Sequence, residues 1–150
     1  MRRAGENYEW RWRRGRVSGD PRCRVAEDAL ERGGTVGIQV LNEFAHVASR
    51  KLRWERDRVE RALQVIEALL GPPLPLTAAV HARALGCARR HHLPFYDALI
   101  VGAAQEAGCR KLISEDFQHG RRFGEVLVSN PFAARENGRR GGRAWPRPRD

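Results

Sequence analysis

Short apolar segments alternate with longer amphipathic segments through the middle of the chain, and this alternation limits the fold more than any other feature. Residues 35–38, 74–76, 111–113 and 126–128 form brief, mainly apolar runs, each of which begins within three residues of a Gly or Pro. Runs of this kind are typical of strands. Strands that alternate with helices favour an α/β fold with a mostly parallel sheet.

The segments between these runs carry apolar residues at helical spacing. The clearest set has offsets of 0, 1, 4, 7 and 8 and consists of Val40, Leu41, Phe44, Val47 and Ala48. Four further helices are predicted around residues 25–30, 59–70, 80–88 and 96–107. Asp20 and Thr77 are suitable N-caps for two of them. The predicted apolar faces include Leu69, Leu85 and Tyr96, which we therefore expect to be buried.

Charge divides the chain into three parts. The net charge is +10, of which residues 1–24 hold +5, residues 133–150 hold +4 and residues 25–132 hold +1. We predict a basic irregular segment at 1–19, one folded domain at 20–132 and a basic disordered tail at 133–150. A basic arm attracts nucleic-acid phosphates without reading their sequence. The alternative interpretation is that both basic ends are disordered tails without a function.

Several classes of protein are disfavoured by what the sequence lacks. No run approaches the roughly 20 apolar residues of a membrane helix, and no apolar run follows the N-terminal arginines as in a secretory signal, so we expect a cytoplasmic protein. Cys23, Cys87 and Cys109 are scattered, which fits neither a disulfide framework nor a thiolate zinc site. The sequence contains no phosphate-binding P-loop, GxSxG or HExxH motif.

Three acidic residues stand at positions where chemistry is expected. Glu43 borders the apolar face of its predicted helix, Asp97 lies in the first turn of another, and Asp116 follows a predicted strand. Each also has an ordinary explanation. Glu43 can be a flank charge, Asp97 can complement the helix dipole for about 0.3–1 kcal/mol, and Asp116 can cap a loop. In open α/β sheets, however, ligands bind outside the carboxyl ends of the strands.

These three acids would suit a metal site if the fold brings them into one crevice. Clustered carboxylates repel one another, and a divalent cation removes that repulsion. Mg²⁺ prefers oxygen ligands and can activate water against a phosphodiester. The histidines do not suggest zinc, because His91 and His92 are adjacent and His119 stands alone.

Four segments together resemble the PIN domain family, in order as well as in composition. They are TVGIQVLNEFAHVASRKL (35–52), LPFYDALIVGAAQEAGC (93–109), LISEDFQHG (112–120) and SNPF (129–132). The likeness covers roughly residues 20–132 and is strongest to the bacterial VapC-like toxins. It implies an α/β/α sandwich with a mostly parallel sheet and an Mg²⁺- or Mn²⁺-dependent endoribonuclease. It also implies an RNA substrate, an antitoxin partner and a homodimer.

The resemblance also implies roles for individual residues. Glu43, Asp97 and Asp116 match three acids of the family's metal-binding catalytic cluster, and Ser114 matches a Thr or Ser that supports the last of them. The family's first strand and its aspartate have no counterpart here, because the corresponding place reads YEWRWRR at residues 8–14. The first strand is therefore missing or replaced.

Two interpretations follow from that departure. The chain is either a metal-dependent endoribonuclease or a nuclease-dead PIN fold that binds RNA or a partner protein. One hypothesis for the departure is that residues 1 to about 18 are read in the wrong frame or from the wrong start, since the likeness begins abruptly near Asp20. The upstream DNA tests this, because a true frame must encode an apolar strand that ends in Asp.

Overall fold

The computed structural model describes residues 21–133, so the predicted basic segment 1–19 and all but the first residue of the tail lie outside the described residues. Five helices precede a small sheet. They are α1 (Pro21–Glu31), α2 (Ile38–Arg50), α3 (Arg56–Leu70), α4 (Ala78–His91) and α5 (Phe95–Glu106), followed by β1 (Lys111–Ile113), β2 (Arg122–Phe123) and β3 (Val126–Ser129).

All five helices were predicted from apolar spacing, and their ends have local causes. The Thr77 side chain accepts a hydrogen bond of 3.2 Å from the Val80 amide, so it caps α4 as expected. Gly71 ends α3 with a φ of 80°, a backbone conformation that glycine adopts without steric cost. His92 ends α4 in the left-handed region, with a φ of 54°.

The apolar faces of three helices are narrower than their spacing predicted. Leu69, Leu85 and Tyr96 were expected to be buried, but they are 50%, 53% and 65% exposed. On α4 the buried stripe is Val80, Ala84 and Cys87, so Leu85 lies one residue to the side of it. A periodic pattern gives the orientation of a helix only to within such a margin.

The sheet is three-stranded and mixed, in the order β1-β3-β2. β1 pairs in parallel with β3, with Ile113 beside Ser129. β2 and β3 form an antiparallel hairpin, in which Gly124 has a φ of 61°. The α/β class is confirmed, whereas β2 was not predicted because a two-residue strand has no measurable periodicity.

The strands predicted at 35–38 and 74–76 are wrong as strands. This region contains a single parallel bridge between Gly37 and Leu74. The Ile38 amide donates to the Leu74 carbonyl at 3.0 Å, and the Leu74 amide donates to the Val36 carbonyl at 2.8 Å. The pairing ends there because α2 begins at Ile38 and Pro75 has no amide hydrogen to donate.

Helix α5 lies at the centre of the core and packs most closely against α4. Its residues 98–104 are all buried. A Cβ atom on Gly102 would lie 3.0 Å from the Val80 carbonyl oxygen and 3.2 Å from the Ala84 amide nitrogen. The absence of a side chain at Gly102 therefore sets the distance between the two helices. Among residues 21–133, no helix combines the length and the apolar character needed to cross a bilayer.

We predict that Gly102→Ala destabilises the protein by about 1–3 kcal/mol, because the added methyl group must push α4 away from α5. Gly86→Ala is the matched control, since a Cβ atom on this α4 glycine meets no atom within 4 Å. It should stabilise the helix by about 0.5–1 kcal/mol. Urea unfolding of the three proteins measures both effects, and equal midpoints for the two variants would contradict the prediction.

Candidate active site

Glu43 projects from the middle of α2 and is partly buried. Its Oε1 atom accepts a hydrogen bond of 2.9 Å from Nε2 of Gln39, one turn earlier on the same helix. Gln39 is itself 9% exposed, so its amide has little freedom to rotate away. The bond fixes the direction of the Glu43 carboxylate, as expected for polar residues four apart on a helix.

Asp97 lies in the first turn of α5 and is partly buried. The N-terminus of a helix favours a negative charge. The pKa of Asp97 is nevertheless raised above its ordinary value, first by burial and then by the neighbouring charges of Glu43 and Asp116. Burial and repulsion together therefore outweigh the favourable position at the helix end.

Asp116 lies in the loop after β1 and is exposed. Its backbone amide donates to the Ser114 hydroxyl oxygen at 3.2 Å. Ser114 is 4% exposed, and its own amide donates to the Ser129 carbonyl at 3.3 Å. A buried serine thus ties the start of the loop to β3 and fixes the backbone at Asp116.

The three acids predicted from the sequence come from three separate elements and meet electrostatically. The charges of Glu43 and Asp116 both raise the pKa of Asp97, so both lie within electrostatic range of it, and Asp116 follows the carboxyl end of β1. The packing of α5 against α2 and against β1 accounts for the convergence. Repulsion of this kind is what a bound cation would relieve.

The fit of this group to a metal ion is partial. Within residues 21–133, no three His, Cys, Asp or Glu side chains are grouped tightly enough to hold one ion jointly. Mg²⁺ does not require such a cage, because it commonly keeps several waters and binds one or two carboxylates together with substrate phosphates. Glu43, Asp97 and Asp116 offer only oxygen donors, which suits Mg²⁺ or Mn²⁺ better than zinc.

A separate cavity of about 500 Å³ lies at the corner between α2 and α3. It is lined by Ser49, Trp54, Arg56, Val59 and Glu60. None of the three converging acids belongs to it. A perturbed pKa with identified charged neighbours is a stronger indication of a site than volume alone, so the three acids form the candidate site.

The sequence analysis missed Gln39, although it identified Ser114. Gln39 stands four residues before Glu43 on the same helix, and that spacing was the available signal. It was overlooked because residues 35–38 were assigned to a strand, which placed Gln39 at the boundary between two predicted elements.

Comparison with known proteins agrees with the fold. The model of the PIN domain family matches residues 16–123, a span that includes Glu43, Asp97 and Asp116. This chain belongs to the PIN domain family. A chain in a solved toxin–antitoxin complex from Klebsiella pneumoniae is similar, with a TM-score of 0.56 and 18% identity over 72% of this chain and 84% of that chain. No curated protein matches the chain.

One expectation from the family resemblance, the N-terminal strand that ends in Asp, concerns residues outside the described part of the chain. PIN domains were expected to begin with a strand that ends in Asp, and the corresponding positions of this chain fall within residues 1–20. Within residues 21–133, the candidate site therefore consists of the acids of α2, α5 and the loop after β1. At this identity, the similarity to the Klebsiella pneumoniae chain bears on the fold alone.

We predict that Asp97→Asn stabilises the PIN domain at neutral pH in the absence of divalent cations. The raised pKa of Asp97 means that the folded chain holds this proton more tightly than the unfolded chain does. Ionisation therefore lowers stability. This loss of stability is absent when the pH is below the pKa of Asp97 in the unfolded chain. It grows as the pH rises towards the pKa of Asp97 in the folded chain, and it is complete above that value.

Thermal denaturation across a pH series measures this effect. In EDTA the Tm of Asp97→Asn should exceed that of the wild type at neutral pH and approach it in acid. Mg²⁺ should raise the Tm of the wild type more than that of the variant, because ligand binding stabilises the folded state by mass action. Asp57→Asn, at an exposed acid in the first turn of α3, is the control. A lower Tm for Asp97→Asn in EDTA at neutral pH would contradict the prediction.

Proposed function

We propose that this PIN domain is a metal-dependent endoribonuclease of the VapC type. The observation that supports the proposal most directly is the raised pKa of Asp97, caused by burial and by the charges of Glu43 and Asp116. A fold does not by itself imply an activity. A group of carboxylates, two of them partly buried, in which the charges of two raise the pKa of the third indicates a site where a cation would balance the charge.

The residues of the chain have separate tasks in this proposal. Glu43, Asp97 and Asp116 hold Mg²⁺ or Mn²⁺ directly or through water. Gln39 orients Glu43, and Ser114 orients the backbone at Asp116. When bound, the cation supplies Lewis-acid stabilisation of the phosphodiester and lowers the pKa of water. The open position of Asp116 gives a long polymer access to the acids, which a closed pocket would not.

The biological setting is part of the same proposal. The similar Klebsiella pneumoniae chain belongs to a toxin–antitoxin complex, which supports an antitoxin as the protein partner of this chain. RNA is the proposed substrate, and the proposed location is the cytoplasm. A homodimer is proposed from the family resemblance.

A nuclease-dead PIN fold that binds RNA or a protein is the second candidate. Two observations favour it. No tight group of three potential metal ligands occurs within the described part of the chain, and the place of the family's first aspartate is occupied by the sequence YEWRWRR. The two candidates differ in whether the three acids suffice for catalysis.

Cleavage of single-stranded RNA by the purified full chain distinguishes the two candidates. The wild type should cut RNA in Mg²⁺ or Mn²⁺ and not in EDTA. Asp116→Asn should lower the rate on the order of 100-fold or more, since mutating even an outer-shell partner of a metal ligand typically costs 10–100-fold. The measurement is the initial rate on a labelled RNA, resolved by gel electrophoresis.

Glu67→Gln is the matched control, because it neutralises an exposed acid of α3 far along the chain from the site residues. It should cut RNA at the wild-type rate. If the wild type is folded but does not cut RNA in either metal, the nuclease proposal fails and the binding module is favoured. Equal loss in Glu67→Gln and Asp116→Asn would show that the assay reports net charge and not the site.

Gln39→Leu tests the positioning of Glu43. Loss of the hydrogen bond from Gln39 Nε2 to Glu43 Oε1 should reduce cleavage by about 10-fold, the lower end of the range for such supporting residues. Leucine is similar in size to glutamine and suits a buried position, so the folded state should persist. Gln64→Leu, at an exposed glutamine of α3, serves as control. An unchanged rate in folded Gln39→Leu would remove Gln39 from the site.

A further inference from the structure

The loop between β1 and β2 is held in place along its length. Ser114 fixes its start, and the buried ring of Phe117 packs edge-on against Phe123 with centroids 5.6 Å apart. Near its end, the Gly120 amide donates to the Val128 carbonyl at 3.0 Å. His119 is therefore an exposed side chain on a fixed piece of backbone.

The orientation of the His119 ring is set by one hydrogen bond. The backbone amide of Asn130 donates to Nδ1 of His119 at 3.1 Å. An amide can only donate, so Nδ1 accepts and the proton of the neutral ring resides on Nε2. Within residues 21–133 this is the ring's one hydrogen bond, and Nε2–H is left as an outward donor. The same bond leaves Nε2 without a lone pair for a base or a metal ligand.

The register of the sheet places His119 at the same edge as Asp116. Ile113 pairs with Ser129 in the parallel ladder, so Ser114 and Asn130 are the next residues beyond it on the two strands. Asp116 is bonded to Ser114, and His119 is bonded to Asn130. Both loop residues therefore lie at the carboxyl end of β1 and β3, which is the edge where α/β sheets bind ligands.

Asn130 is itself held at this edge. Its Oδ1 atom accepts from the Phe132 amide at 2.8 Å, which fixes the turn that presents the Asn130 amide to His119. A nearby basic residue faces elsewhere. Arg121 donates to the His91 carbonyl at 3.0 Å, and its guanidinium carbon lies 4.8 Å from the centroid of the Phe123 ring. His119 thus remains an outward donor of the loop with a fixed ring.

We propose that His119 is a substrate-binding residue that donates Nε2–H to a phosphate oxygen of single-stranded RNA beside the acidic cluster. The inference rests on the proposed function and deepens it. A polyanion that approaches Glu43, Asp97 and Asp116 is repelled by them, so a neutral donor at the rim both attracts and aligns a phosphate. Hydrogen bonds to charged groups are among the stronger ones in proteins.

Binding of a fluorescein-labelled single-stranded RNA to the full chain tests the proposal. Fluorescence anisotropy is measured in Mg²⁺ and, separately, in EDTA, and binding in either condition suffices for the comparison. His119→Leu removes the donor and should weaken binding by about tenfold. His119→Gln keeps a donor near the position of Nε2 and should bind within about threefold of the wild type.

The glutamine variant separates binding from structure. Gln has no acceptor at the position of Nδ1, so a merely structural role for the bond to Asn130 would be lost in both variants. Gln118→Leu changes the exposed neighbour of His119 on the same loop and should bind RNA as the wild type does. Unfolding midpoints of all variants are measured alongside.

The outcomes distinguish this inference from the proposed nuclease activity. RNA binding that depends on His119 and is restored by Gln, without cleavage, supports the inference while the nuclease proposal fails. Cleavage with wild-type RNA affinity and KM in His119→Leu overturns the inference alone. It is also overturned if the wild type binds no RNA, or if His119→Leu and His119→Gln lose affinity and stability to the same extent.

Discussion

The burial of helix α5 is the constraint on which the rest of the structure depends. Seven consecutive residues, 98–104, are buried, so other parts of the chain must cover the helix on all sides. Small residues make this coverage close, and at Gly102 the α4 backbone comes within about 3 Å of where a side chain would begin. A helix packed in this way has little freedom to rotate or slide, and its first turn carries Asp97.

The candidate site is a consequence of that packing. The packing of α2 and β1 against α5 brings Glu43 and Asp116 within electrostatic range of Asp97. The charges of Glu43 and Asp116 repel that of Asp97, and together with burial they raise the pKa of Asp97. Two neutral side chains, Gln39 and Ser114, hold the acids in position through hydrogen bonds. The repulsion at this edge of the sheet therefore lowers the stability of the fold, which is common at functional sites.

The parallel pair of β1 and β3 organises the other half of this edge. Because both strands run in the same direction, the segments that leave them emerge side by side. Asp116 and His119 come from the loop after β1, and Asn130 comes from the end of β3. The hydrogen bond between Asn130 and His119 joins these segments. A site built from backbone pairings of this kind is more precisely placed than one built on an unattached loop.

The sequence by itself determined the five helices, the strands β1 and β3, the α/β class and the positions of the three acids. These features depend on local spacing, capping residues and the order of elements, all of which are written along the chain. It did not determine β2, whose two residues show no periodicity, or the single bridge between Gly37 and Leu74, whose partners are distant in sequence. Only the tertiary structure decided that Asp97 is perturbed by Glu43 and Asp116, and that the Asn130 amide fixes the ring of His119. Each of these depends on a distance between groups that are separated along the chain, and one sequence does not contain such distances.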